Sequence, residues 1–324
     1  MDIISYFRPE QLSKRKISCA CYAGPMRRLR DFLALVKIGI VGSNALTALS
    51  GFALATFCAG TAWPWGKSAL VLSGTSLLVG GSCAINNWMD RDIDARMDRT
   101  RERPTARGTM GAAQALGIGA GLGGGGLVLL FAAGPVAAAF GLAGALVYLV
   151  PYTLWAKRRG AASLYVGGIA GSMPPLIGWA AVDPRLGGPA WALFAFLGIW
   201  QQAHVRALAL KRAGEYRAAG VPMAGLSRPT GGGAAASDAE RRSRLSVLAW
   251  AAAALPFPAL AIALAGLPPA GAALAVSAGS CALGAAWVAY GLMSFRSPSW
   301  PGRMFAASLA YLVLVFSGLV AAGA

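Results

Sequence analysis

Long apolar runs alternate with short basic gaps along almost the whole chain. The runs lie near 36–58, 66–88, 113–133, 136–155, 162–182, 188–209, 245–265, 269–293 and 302–323. Each approaches or exceeds the roughly 20 residues that a helix needs to cross a bilayer, so the pattern predicts an all-α, polytopic membrane protein with about nine transmembrane helices. Glycine and alanine crowd several runs, as in "GIGAGLGGGG" at 117–126. Such residues weaken a soluble helix but let membrane helices approach closely, so tight packing is their expected role. Residues 226–244, "LSRPTGGGAAASDAERRSR", read as a flexible basic linker. There is no sign of a separate soluble domain. The domain division is a basic tail over 1–35 and a transmembrane domain over 36–324.

Composition agrees with the membrane reading. The chain has 324 residues, 56% hydrophobic and 13% charged, against roughly 25% charged in soluble proteins. A formal charge of +17 raises nucleic acid as a partner. The basic residues fall in the gaps between apolar runs, however, and do not stripe one soluble surface, so membrane lipid replaces nucleic acid. The polar, basic start has no apolar core of leader type before residue 32, and the first apolar run reads as a span. Five cysteines, Cys19, Cys21, Cys58, Cys83 and Cys281, with a single histidine, give no tetrahedral metal pattern.

The basic residues also set an orientation. Arg8, Lys14, Arg27 and Arg30 precede the first span. Arg91 to Arg107, Lys157 to Arg159 and Lys211 to Arg244 then occupy alternate gaps, whereas the opposite gaps hold little beyond Lys67 and Arg185. This bias predicts a cytoplasmic N-terminus.

One gap is unusual. "NNWMDRDIDARMDRTRERP" at 86–104 holds Asp90, Asp92, Asp94, Asp98 and Glu102, five of the chain's 12 acidic residues. In a continuing helix Asp90, Asp94 and Asp98 share one face, with Asn86 and Asn87 a turn earlier. Like charges at that spacing repel, and a hard cation relieves them. Mg²⁺ takes one or two carboxylates plus substrate phosphate oxygens, which makes the aspartate stripe a candidate metal site. Arg99, Arg101, Arg103 and Arg107 follow and suit phosphate oxygens. A diphosphate head beside apolar helices points to an isoprenyl diphosphate.

These residues resemble the first aspartate-rich motif of the intramembrane aromatic prenyltransferases, the UbiA superfamily. The match runs through Asn86, Asn87, Asp90, Asp94, Arg99, Thr100, Arg103, Pro104 and Gly108. The Asn–Asn pair is most similar to the branch that farnesylates haem. "VKIGIVGSNALTALSGFALA" at 36–55, with Lys37 and Asn44, "YTLWAKRRGAASLYVGGIAGSMPPLIGWAA" at 152–181 and "WQQAHVRALALKRAGEYRAAGVPM" at 200–223 resemble further segments in the family's order. The chain departs from the pattern at Ile38, Gly160, Ser163, Ala203, Val205, Arg206 and Glu215, which bears on substrate placement.

The resemblance implies helices around a central cavity, Mg²⁺ as cofactor, and farnesyl diphosphate and haem B as substrates. Asp90, Asp94, Tyr152 and Lys157 are then the catalytic set, with Asp90 and Asp94 as the metal ligands. Asn44, Asn86, Asn87, Arg99, Arg103, Arg158, His204, Lys211, Glu215 and Tyr216 bind substrates. Positive-inside anchoring alone also accounts for Lys157 and Arg158. Glu215 is the only acid in 206–237, so basic residues are expected to share the second half of the diphosphate site. His204, the only histidine, is either a packing residue or a contact for haem iron or its macrocycle. Arg206 either snorkels to the interface or pairs with a haem propionate. The implied setting is the cell inner membrane, with a haem-handling partner enzyme. The rivals are a superfamily member acting on a quinone precursor or chlorin, and a transporter with an acidic vestibule.

Overall fold

The computed structural model describes residues 25–160, 162–220, 233–266 and 271–323. Among them there is no β-strand. The longer helices, in chain order, are α1 (Pro25–Val36), α2 (Ile38–Cys58), α3 (Trp65–Met89), α4 (Ala112–Ala133), α5 (Pro135–Val147), α6 (Ala162–Val182), α7 (Gly188–Lys211), α8 (Gly233–Ala254), α9 (Pro256–Leu264), α10 (Gly271–Met293) and α11 (Trp300–Gly323); short helical turns lie at Arg91–Asp94 and Ala213–Ala218. α5 continues as a π-helical stretch over Tyr148–Trp155 that contains Pro151.

Among the described residues, seven helical segments are long and apolar enough to cross a bilayer: α2, α3, α4, α5 with its π extension, α8 with α9, α10 and α11. The predicted fifth and sixth spans form α6 and α7 but do not reach that apolarity. They carry Pro174, Pro175, Gln201, Gln202 and His204. Both pack inside the bundle, α6 against α2, α5 and α7, and α7 also against α8 and α11. Buried neighbours, rather than lipid, tolerate such residues. Large side chains such as Val128, Phe131, Leu154 and Met293 face outwards, as a lipid-facing surface requires.

Glycine packing is specific. On α3, a Cβ at Gly81 would lie 2.6 Å from the Gly119 carbonyl oxygen, and on α4 a Cβ at Gly126 would lie 2.7 Å from that of Gly74. These two pairs, one heptad apart, let α3 and α4 run almost backbone to backbone. Gly117, Gly121, Gly124 and Gly125 meet nothing within 4 Å, so tight packing does not account for them. Between α2 and α6, a Cβ at Gly178 would overlap the Ala48 carbonyl.

One expectation changes. Part of the predicted linker is helical, since α8 begins at Gly233 and Glu240 pairs with Arg244 one turn on; residues 226–232, like Cys19 and Cys21, lie outside the described residues. The predicted tail contributes α1, which packs on α3. Its Leu35 is fully buried beside Ala84 and Ala115.

Candidate functional site

α3 ends at Met89 and its backbone breaks at Asp90. A single turn, Arg91–Asp94, follows, and the helix then stops. The expected three-aspartate face is therefore two residues long. Asp98 points away into solvent and pairs with Arg101 at 3.1 Å. Ile93 and Met97 bury against Ala219 and Tyr216, which docks this loop on the segment after α7 and unites the two polar motifs.

The break holds two buried carboxylates. Asp90 is 0% exposed and Asp94 3%. Asp90 Oδ2 accepts from Asn86 Nδ2 at 2.8 Å and from Lys157 Nζ. Asp94 Oδ2 accepts from Arg103 Nη1 at 2.6 Å, and Thr100 Oγ1 donates to the Asp94 carbonyl at 3.0 Å. Asn86 also donates to Thr153 Oγ1 at 3.0 Å and accepts from Lys37 Nζ. One asparagine thus ties α3, the π stretch of α5 and the α1–α2 junction together. Lys37 sits at that junction in left-handed backbone conformation, φ 54°, which an L-residue adopts at a cost. Its ammonium is pushed down to about 8, first by burial and further by Arg103 and Lys157. Lys157 is held above the ordinary lysine value: burial works against its charge, and Tyr152 and Asp90 outweigh that.

These groups adjoin a cavity of about 1760 Å³, larger than the roughly 300–1,000 Å³ typical of a single small-ligand site. Its polar wall includes Lys37, Asn86, Asp94, Arg99, Arg103 and Lys157. Leu78, Met173, Ile177, Leu197 and Leu312 supply apolar wall. Tyr148 and Tyr152 stack at 5.6 Å and also line it.

Of the predicted site residues, Asn44, Asn86, Asp94, Arg99, Arg103, Tyr152, Lys157, His204 and Tyr216 line this cavity. Asp90 lies directly behind Lys157. Asn87 turns instead to α1, donating to the Leu35 carbonyl. Lys211 lies over the Phe305 ring, 5.0 Å from its centroid, and Glu215 pairs with Arg212 at 2.7 Å. Neither Lys211 nor Glu215 lines the cavity. The side chain of Arg158 lies outside the described residues. Arg206 donates to Gln202 Oε1 at 2.7 Å and Tyr165 Oη at 3.2 Å, beneath Trp250. That surface is away from the cavity. Lys37, Tyr148 and Ser308 were not singled out as site residues from sequence; for Lys37 the signal was its place in the first-span resemblance.

The donor set fits Mg²⁺. Asp90 Oδ1 is buried with no hydrogen-bond partner among the described residues, so a carboxylate oxygen is left for a hard cation. No group of three His, Cys, Asp or Glu that could hold a metal occurs among those residues. Two carboxylates must then be supplemented by phosphate oxygens or water, as is usual for Mg²⁺.

A helical membrane bundle with a buried carboxylate–lysine–arginine cluster on a large cavity defines a class, the intramembrane prenyltransferases. The chain belongs to the UbiA prenyltransferase family, whose profile matches residues 44–309. It is similar to protoheme IX farnesyltransferase 2 of Bacillus subtilis (strain 168), 40% identical over 296 residues that cover 90% of this chain and 91% of the relative. The protoheme IX farnesyltransferase of Alkalihalophilus pseudofirmus is 38% identical over 292 residues, 89% and 88% of the two chains. Among solved structures, digeranylgeranylglyceryl phosphate synthase shares the fold with TM-score 0.68 at 16% identity, covering 92% of this chain and 99% of that one. A UbiA homolog from Archaeoglobus fulgidus bound to GPP and Mg²⁺ has TM-score 0.62 at 14% identity, covering 90% and 99%.

Proposed function

We propose that this protein transfers the farnesyl group of farnesyl diphosphate to a vinyl group of haem B, yielding haem O and diphosphate for terminal oxidases. The observation that carries this reading is the buried Asp90–Lys157 and Asp94–Arg103 cluster on one wall of a cavity roomy enough for two substrates. The similarity to protoheme IX farnesyltransferases over most of the chain supports haem as the acceptor.

Lys37, Arg99, Arg103 and Lys157 bind the diphosphate, each a cation on the cavity wall. Asp90 and Asp94 hold Mg²⁺, which when bound stabilises charge on the departing diphosphate. Asn86 orients Lys37 and Asp90 through its two amide atoms. Tyr152 presents its ring and hydroxyl beside the reacting allylic carbon. The farnesyl tail lies along Leu78, Met173 and Ile177, which keep water from the cationic C1. The vinyl π electrons form the new C–C bond. Water then adds to the resulting cation with loss of a proton, leaving a hydroxyethylfarnesyl substituent. Haem is a substrate here. The N-terminus and the site face the cytoplasm at the cell inner membrane, where a haem-handling partner enzyme takes the product.

Purified protein with labelled farnesyl diphosphate, Mg²⁺ and either haem B or a quinone precursor tests the reading. Label transferred to haem B supports it. Label transferred only to the quinone precursor overturns the haem assignment, and transfer to neither overturns the enzyme assignment.

A further inference from the structure

His204 and Ser308 form a second constellation on the cavity wall, on α7 and α11. The imidazole is clasped on both faces. Trp200 stacks on one at 4.7 Å and 17°, and Phe305 on the other at 4.7 Å and 30°. Its Nδ1 lies 2.7 Å from Ser308 Oγ. Ser308 is itself fully buried. Its hydroxyl donates to the Phe305 carbonyl at 2.6 Å, and its own carbonyl accepts from Trp200 Nε1 at 3.1 Å.

These distances assign a proton through the hydrogen-bond network. A serine hydroxyl has one hydrogen. The Phe305 carbonyl has none, so at 2.6 Å it must receive the one from Ser308. Ser308 Oγ then faces Nδ1 with lone pairs only, and a 2.7 Å contact requires Nδ1 to carry the hydrogen. The neutral ring has one N–H, so Nε2 is bare. Both faces and the Nδ1 edge are covered, yet His204 lines the cavity. The edge exposed there is the one that carries Nε2.

We infer that Ser308 is a positioning residue that locks His204 as the Nδ1–H tautomer and presents the Nε2 lone pair to the cavity as a ligand for an electron-poor centre of the second substrate. Resting on the reading proposed above, that centre is the haem iron, for which imidazole is a suitable ligand. A partner on the far nitrogen commonly sets the tautomer and basicity of a ligating histidine. Haem held here is anchored by α7 and α11, whereas the diphosphate is anchored by α3 with its following loop and by Lys37 and Lys157. Ser308 thus acts on the acceptor side alone.

The single histidine makes the test direct. Protein labelled with [¹⁵N]histidine and purified without a polyhistidine tag gives one imidazole spectrum. Nδ1 should appear protonated and Nε2 unprotonated in the wild type and in Ser308→Thr, which keeps the hydroxyl. Ser308→Ala should lose the preference. Its affinity for haem B, followed by absorbance, should fall by about 10-fold or more, with binding of a non-hydrolysable farnesyl diphosphate analogue unchanged. An Nε2–H tautomer in the wild type overturns the proposal. So does unaltered haem affinity in Ser308→Ala, or equal loss of both ligands, which would mark a merely structural role. Failure of the haem reading shows separately: wild-type protein would then not bind or farnesylate haem B, whatever tautomer the spectrum reports.

Discussion

Lys157→Met isolates the electrostatics of the site. The substitution keeps the unbranched stem and deletes the ammonium that donates to Asp90 Oδ2. Asp90 is fully buried, while the Lys157 side chain is 21% exposed. What remains for the carboxylate is one neutral hydrogen bond, from Asn86 at 2.8 Å, because Oδ1 has no partner among the described residues. Removing one partner of a buried ion pair costs about 3–5 kcal/mol. Solvent reaching the lysine favours the lower end of that range. The expected loss is therefore about 3–4 kcal/mol, read by equilibrium unfolding in mixed detergent micelles without Mg²⁺. Asp90→Asn combined with Lys157→Met removes both charges and should recover most of it. A loss below about 1 kcal/mol would mean that the pair behaves as an exposed one. A double variant as unstable as Lys157→Met would show that lysine packing, and not the stranded carboxylate, causes the loss.

Lys37 predicts a pH dependence. With its folded value near 8 against an ordinary 10.5, the unfolded chain binds the extra proton between those values, so stability rises with pH across that window. Lys37→Met should flatten the rise, and a wild-type stability that falls from pH 8 to 10 would contradict the burial of this amine. Over the same range the KM for farnesyl diphosphate should climb in the wild type as the cation is lost, but not in Lys37→Arg. Gly178→Ala drives a methyl group into the Ala48 carbonyl and should cost about 1–3 kcal/mol in unfolding experiments, whereas Gly125→Ala, with open space around it, should be neutral. Reporter fusions after residues 100, 158 and 230 should read cytoplasmic and those near 62 and 185 external; a cytoplasmic signal at 185 would break the alternation on which the orientation rests.

What the sequence discloses here is whatever depends on neighbours within a turn or two. The apolar runs become helices because lipid leaves backbone groups no other partner, and α2, α3, α4 and α10 follow their runs closely. Asp90 and Asp94 are one turn apart, and Asp94 N donates to the Asp90 carbonyl at 2.8 Å. Periodicity overreached at Asp98, because the chain turns after Asp94 to bury Ile93 and Met97. Composition overreached at residues 233–244, where a Gly- and Ala-rich opening leads into a helix that packs on α7 and α10. The remaining features depend on residues far apart in the chain. Asn87 is sent to α1 by a carbonyl 52 positions away, and Arg107 grips Asp31 in two hydrogen bonds at 2.9 and 2.8 Å across 76 positions. His204 meets Ser308 across 104 positions. A motif names the charged residues that a diphosphate needs, but the arrangement that buries their charges and orients the lone histidine is set by helices adjacent only in space. Ser308, a common residue in an ordinary apolar run, therefore carries no signal until α11 is laid against α7.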